Sequence, residues 1–253
     1  MTIKPSVCVD AVFEGVGIEK ALRQIATLGF KAFEFWCWWE KDLPRLIELR
    51  DELDLEVAAC CTKFVSLVEP SVRRDYLTGL DESIAAAQRL GCKTLISQVG
   101  DFLPGVGWQQ QHDCLRDGLI ESAKLLDGSG VTLAIEPLNE LVDHAGYYLV
   151  RSDEAFQLID EVASPNVKVT FDIYHQQISE GHLIRNITDH ADKIAHFHAA
   201  GNPGRNELNS GEIHYPEIIR AIEKTAFDGY FGLEYWPKRD PIDGLRETKK
   251  LIG

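Results

Sequence analysis

Along this chain, short apolar runs rich in β-branched or aromatic residues alternate with longer segments of helical period, and this alternation limits the fold more than any other feature. The runs are SVCV (6–9), KAFEFW (31–36), LEVAACC (55–61), KTLISQ (93–98), VTLAIEP (131–137), VKVTFD (167–172), KIAHFH (193–198) and YFGLEY (230–235). Each is followed by a helical pattern. Ile18, Leu22, Ile25 and Leu28 share one face, closed by Gly29. A second pattern runs from about Ser71 to Leu90 and is closed by Gly91, a third covers 108–127, and another opens on a Ser152/Asp153 cap signal. Eight βα units in 253 residues are the size of one (β/α)8 TIM barrel. The competing doubly wound sheet usually has fewer strands and often a glycine-rich phosphate turn after the first, where this chain reads DAVFEGVG. With no linker-like or low-complexity segment to divide it, residues 1–253 are assigned to one barrel domain.

Apolar residues make up 45% of the chain, enough for a sizeable core. The formal net charge of −14 argues against a nucleic-acid partner and against an anionic membrane surface. No apolar run approaches the ~18 residues of a membrane span, and MTIKPSVCVDAV lacks the apolar core of a signal peptide, so the cytoplasm is the default compartment. Six scattered cysteines without a CxxC pair are expected to be small buried hydrophobes.

In a barrel of this kind, functional groups sit at the C-terminal ends of strands or in the loops that follow. The last four runs end in Glu136 (LAIEP), Asp172 (VTFDIYH), His198 (AHFHAAG) and Glu234 (GLEYW). One such residue would mean little, but four on successive strands point to one divalent metal ion. An oxygen-rich set with a single imidazole favours Mn²⁺ or Mg²⁺, with Co²⁺ next, over a closed tetrahedral Zn²⁺ site. Three carboxylates together would otherwise repel and raise one another's pKa values.

IEPLN, FDIYHQQ, HFHAAGNPGRNELNSGEIHY and LEYW resemble the xylose-isomerase-like sugar isomerase/epimerase barrels, most closely the hydroxypyruvate isomerase group. The resemblance covers essentially the whole chain, and the segment after the seventh run is its most specific part. It implies Glu136, Asp172, His198 and Glu234 as ligands of one divalent metal, usually manganese or magnesium, and Glu136 and Glu234 as the acid/base pair. It implies His175 and Arg205 as binders of substrate oxygens. The implied reaction interconverts a small α-hydroxy-keto acid and its aldehyde or ketone isomer by glutamate-mediated proton transfer through an enediolate. Ketose 3-epimerases of free sugars share this core and are the alternative. Barrel endonucleases for abasic DNA share the fold but usually carry a richer His/Glu/Asp set and a basic face, and a non-catalytic sugar-binding descendant would be expected to have lost a glutamate.

Other residues are weaker candidates for substrate contact. The lesser alternative for His175 is an ordinary loop histidine, and for Arg205 a loop salt bridge to Glu207 or Glu212. Lys63, past the third run, can meet a substrate carboxylate or be solvated. Gln98 ends the fourth run as a candidate hydrogen-bonder. His196 is expected to face the helix layer, and Glu34 and Glu212 are at most supports. FEFWCWWEKD (33–42) places Trp36, Trp38 and Trp39 at the rim beside the metal set, where at least one indole, with Trp36 the candidate, is expected to wall the ligand. Barrels of this kind commonly pair, so a homodimer or homotetramer is expected.

Overall fold

The computed structural model describes residues 3–252; residues 1, 2 and 253 of the assigned domain lie outside the described residues. The eight strands are β1 (Lys4–Cys8), β2 (Ala32–Phe35), β3 (Glu56–Cys61), β4 (Thr94–Ser97), β5 (Thr132–Ile135), β6 (Val167–Asp172), β7 (Ile194–Ala199) and β8 (Tyr230–Leu233). Each pairs in parallel with the next and β8 pairs with β1, closing the barrel that the alternation predicts. Several strands stop short of their apolar runs: Gln98, Glu136 and Glu234 lie one residue past the strand ends at the C-terminal mouth, the two glutamates still donating their N–H to the neighbouring strand.

The helices bury one face each. Helix Ile18–Thr27 turns Ala21, Leu22 and Ile25 inward, as its 3.6-residue spacing requires. Gly29 (φ +76°) and Gly91 (φ +66°) follow their helices in the left-handed region that glycine enters without penalty. Ten α-helices occur among the described residues rather than eight. A short turn, Val9–Val12, follows β1 directly, and the segment after β6 splits into Ile173–Ser179 and Leu183–Asp189 around Gly181 (φ +69°). The Ser152/Asp153 cap is corrected: the helix Ser152–Val162 has Arg151 at its N-cap with no side-chain cap bond. Ser152 Oγ donates instead to Glu180, and Asp153 pairs with Arg151.

The strands divide apolar from polar. Phe33, Phe35, Phe171, Phe197, Phe231 and Leu233 belong to the continuous hydrophobic core, with Phe171 stacked on Phe156 of helix Ser152–Val162. The alternate residues Ser6, Glu34, Thr170, Asp172, His196 and His198 are buried polar groups. This overturns the expectation that His196 faces the helix layer. Residues two apart on a strand share a face, so His196 lies on the same side of β7 as His198, its ring centroid 5.0 Å away and its Nε2 3.0 Å from Glu34 Oε2. All six cysteines are free; four are buried and Cys37 and Cys114 are half-buried.

Candidate metal centre

Strand register assembles the centre. Asp172 at the end of β6 pairs with His198 on β7, which pairs with Gly232 on β8, two residues before Glu234. Glu136 follows β5 directly, its N–H donating to Ser97 O (3.2 Å). One ligand atom from each of Glu136, Asp172, His198 and Glu234 lies within 4.8 Å of the others, and all four residues are buried.

Each side chain is aimed by a local device. Asp172 caps helix Ile173–Ser179, Oδ1 accepting from the N–H groups of Tyr174 (2.7 Å) and His175 (3.0 Å), which leaves Oδ2 for the pocket. His198 Nδ1 faces Glu136 Oε1 (2.7 Å) and Glu234 Oε2 (3.7 Å), while its Nε2 lies 3.0 Å from Glu34 Oε1 on the other side. Glu34 Oε2 accepts from Ser6 Oγ (2.5 Å). The carboxylate sits where a side chain on Gly232 would be: a Cβ there would lie 2.4 Å from Glu34 Oε1 and 2.8 Å from His196 Nε2.

Arg205 comes from the loop after β7 with φ +54°. That left-handed backbone is held by Gly201 N–H to Asn206 O (2.7 Å) and Trp236 N–H to Arg205 O (2.9 Å). Its guanidinium lies 5.2 Å from the Tyr174 ring and 5.0 Å from the Trp236 ring, and Nη2 donates to Glu234 Oε2 (2.6 Å), with Asp172 Oδ2 at 3.8 Å. Trp36 donates its indole N–H to Glu234 Oε1 (2.7 Å) and stands 6.1 Å, centroid to centroid, from Trp236. A 3₁₀ turn over Trp38–Glu40 ends the strand alternation, so Trp38 bonds Ser83 Oγ (3.1 Å) and Trp39 packs edge-on against Phe64. The tryptophan cluster is thus divided, with only Trp36 among the three bonded to a residue of the acidic set.

The charge balance fits a divalent cation. Burial raises the Glu136 carboxyl, reinforced by Glu234 and Asp172 and opposed by His198. Burial likewise raises Asp172, with Arg205 and His198 opposing. Burial would also raise Glu234, but His198, Arg205 and the Trp36 indole bring it below its usual value. For His198 burial favours the neutral ring, yet Glu234, Glu136 and Glu34 together hold it well above its ordinary value. A divalent cation held by these residues would relieve the carboxylate repulsion and would compete with a proton for His198 Nδ1, the ring atom that faces the carboxylates. Three oxygen donors and one nitrogen are compatible with several such ions.

Of the other sequence candidates, His175 lies at this centre, with Nε2 3.6 Å from Asp172 Oδ2. Lys63 does not point there: it pairs with Glu82 and lies over the Trp38 ring. Gln98 is half-buried just past β4. Glu212 lies in the loop after β7, accepting from Asn202 Nδ2 (2.7 Å) and Gln177 Nε2 (3.2 Å).

A family model described as "Xylose isomerase-like TIM barrel" matches residues 22–252. The chain belongs to this family. Hydroxypyruvate isomerase of Escherichia coli (strain K12) is 32% identical over 233 residues, covering 88% of this chain and 90% of that protein. The 2-oxo-tetronate isomerase of Cupriavidus necator is 36% identical over 137 residues, 54% of this chain and 52% of that one. Among solved structures, AP endonuclease, family 2, from Brucella melitensis superposes with a TM-score of 0.93 at 25% identity over 99% of both chains. The activities named for the two sequence relatives are isomerisations of small molecules.

Sequence reasoning missed Trp236 and Tyr174, and it named Glu34 only as a support without its pairing to His196. A buried Glu within AFEF and the two-residue spacing of HFH were the available signals for that pair. The contacts of Trp236 and Tyr174 with Arg205 depend on loop conformation, which no short motif reports.

Proposed function

We propose that this protein is a divalent-metal-dependent isomerase interconverting a small α-hydroxy-keto acid and its carbonyl isomer. The observation that carries this reading is the buried group Glu136, Asp172, His198 and Glu234, with donor atoms within 4.8 Å of one another at the barrel mouth. Those four residues would hold the metal, which as a Lewis acid favours negative charge developing on substrate oxygens. The two glutamates carry the proton. Glu234, kept ionised by Arg205, His198 and the Trp36 N–H, takes it from the carbon beside the carbonyl. Glu136, whose burial favours the protonated form, passes a proton to the carbonyl oxygen, giving the enediol. Glu234 then returns its proton to the former carbonyl carbon while Glu136 takes back a proton from the other oxygen, which becomes the new carbonyl. Arg205, clamped between Tyr174 and Trp236, and His175 orient substrate oxygens. Trp36 and Trp236 exclude water from the reacting face.

The Brucella structure carries an endonuclease name, but a net charge of −14 opposes binding to a phosphate backbone. The test is solvent deuterium uptake. Protein stripped with a chelator and reloaded with Mn²⁺, Mg²⁺, Co²⁺ or Zn²⁺ is incubated in D₂O with hydroxypyruvate, 2-oxo-tetronates and free ketoses. Metal-dependent exchange at the carbon next to the carbonyl, lost in Glu234→Gln, is expected. Exchange unaffected by chelation, or full exchange in both Glu136→Gln and Glu234→Gln, would overturn the mechanism.

A further inference from the structure

His175 is fully buried, and its two ring nitrogens have opposite surroundings. Nδ1 receives two donors: the Asn139 backbone N–H at 3.2 Å and the Asn139 side-chain Nδ2 at 2.6 Å. The orientation of that amide is fixed by its other partners. Asn139 Oδ1 accepts from the backbone N–H groups of Val142 (2.9 Å) and Asp143 (3.3 Å), so the atom turned to His175 is the nitrogen. The same Nδ2 donates to Asp143 Oδ2 (2.7 Å), which also accepts from Tyr174 Oη (2.9 Å). A ring nitrogen facing two donors must present its lone pair, since a proton there would set N–H against N–H. The remaining proton therefore resides on Nε2. That atom is buried, has no hydrogen-bond partner among the described residues and lies 3.6 Å from Asp172 Oδ2. An orphaned buried donor costs folding free energy, and this one faces the acidic group.

We propose that Asn139 is a positioning residue that locks His175 as the neutral Nε2–H tautomer, presenting a buried, unpartnered donor to a substrate oxygen at the barrel mouth. This rests on the isomerase reading for the identity of the oxygen, but the tautomer itself does not. The consequence for the reaction is a division of labour. His175 stabilises charge developing on oxygen by hydrogen bonding and, with Nδ1 occupied, does not carry the proton. Proton transfer stays with Glu136 and Glu234. Asn139 belongs to the loop after β5, where IEPLNELVDH crosses from Glu136 to Asp143, so one short loop supplies both an acid/base group and the setting of a donor on the next strand's helix.

The test begins with ¹⁵N-labelled protein loaded with diamagnetic Mg²⁺, and with the chelated protein, at neutral pH. Long-range ¹H–¹⁵N correlation of the histidine rings is assigned by the signal lost in His175→Phe. His175 is expected to show an unprotonated Nδ1 and a protonated Nε2 in both samples. A protonated Nδ1, whether as the other tautomer or as imidazolium, overturns the proposal whatever the protein turns over. Asn139→Asp keeps acceptors for Val142 and Asp143 and the backbone N–H at Nδ1, but replaces the shorter, side-chain donor to Nδ1 (2.6 Å against 3.2 Å) with an anionic acceptor that also faces Asp143 Oδ2. It is expected to move a proton to Nδ1 and to lower kcat by roughly 100-fold, the effect of losing or misplacing one oxyanion donor, with KM changed much less. An Asn139→Asp protein with the wild-type ring pattern and wild-type kcat also overturns the proposal. If this variant does not fold, the wild-type spectrum decides. Failure of every candidate substrate would count against the isomerase reading, and the ring measurement would still decide the role of Asn139.

Discussion

Replacing Glu34 by Gln tests the electrostatic frame beneath the centre, because it preserves volume and an acceptor for Ser6 Oγ while deleting the charge shared by His196 and His198. Burial would raise the Glu34 carboxyl, yet the two imidazoles hold it well below its ordinary value. A depressed carboxyl contributes stability above its unfolded pKa, about 4.3, and loses it as pH falls through the folded value. His198 is shifted the other way. Its contribution is complete below the unfolded value of about 6.5 and is lost as pH rises through the raised folded value. In the metal-free protein both contributions are therefore present at about pH 5.5. Removing one member of a buried ion pair costs about 3–5 kcal/mol. Glu136 and Glu234 still face the opposite edge of His198, so the lower end, about 3 kcal/mol, is expected. With a urea slope near 3 kcal/mol per M, the unfolding midpoint falls by roughly 1 M. The assay is urea unfolding in chelator at about pH 5.5, followed by both tryptophan fluorescence and far-UV circular dichroism, and repeated at alkaline pH, where the gap should narrow as wild-type His198 deprotonates. Coincident midpoints for wild type and Glu34→Gln at the lower pH would refute the ion-pair reasoning. A gap that widens with alkalinity would refute the assigned sign for His198.

Three further outcomes follow from the same geometry. Metal binding should expel the proton held on His198 Nδ1 by Glu234 and Glu136. Titration calorimetry near pH 7 in buffers of different ionisation enthalpy should therefore report about one proton released per ion, and buffer-independent heats would contradict this. Gly232→Ala would place a methyl 2.4 Å from Glu34 Oε1 and 2.8 Å from His196 Nε2 and His198 Cδ2. A loss of about 1–3 kcal/mol in unfolding free energy is expected, with weaker metal retention in equilibrium dialysis, and unchanged stability would show that the Glu34 pocket is not tightly packed. Trp36→Phe removes an N–H that lowers the Glu234 carboxyl. The base then titrates at higher pH, so the acid limb of the kcat/KM profile should move upward, and an unmoved limb would exclude Glu234 as the group that limb reports.

What the sequence disclosed and what it concealed divide along a physical line. Strands enclosed on both faces need continuous apolar or β-branched residues, and helices that cover them need an apolar stripe, so the two periods are written into the chain and the eight-fold alternation could be read directly. The acidic set was visible because Glu136, Asp172, His198 and Glu234 each interrupt such a run at its end, where a buried ionisable group has a cost that needs a reason. Glu34 and His196 break their runs in the middle, and in isolation a polar residue there looks like a local exception. Only closure of the barrel brings β1, β2, β7 and β8 to one level, so that Ser6, Glu34, His196 and His198 meet over Gly232. The same limit applies at the mouth. Lys63 and Trp36 both follow strands, yet one turns to Glu82 and the other to Glu234, because the backbone after each strand takes a path that side-chain alternation does not govern. Residues that end an apolar run could be assigned from pattern, whereas those fixed by closure or by loop path required the three-dimensional arrangement. For that reason the acidic set was legible before the residues that surround it were. His196 is the exception, since its two-residue spacing from His198 already put both on one face.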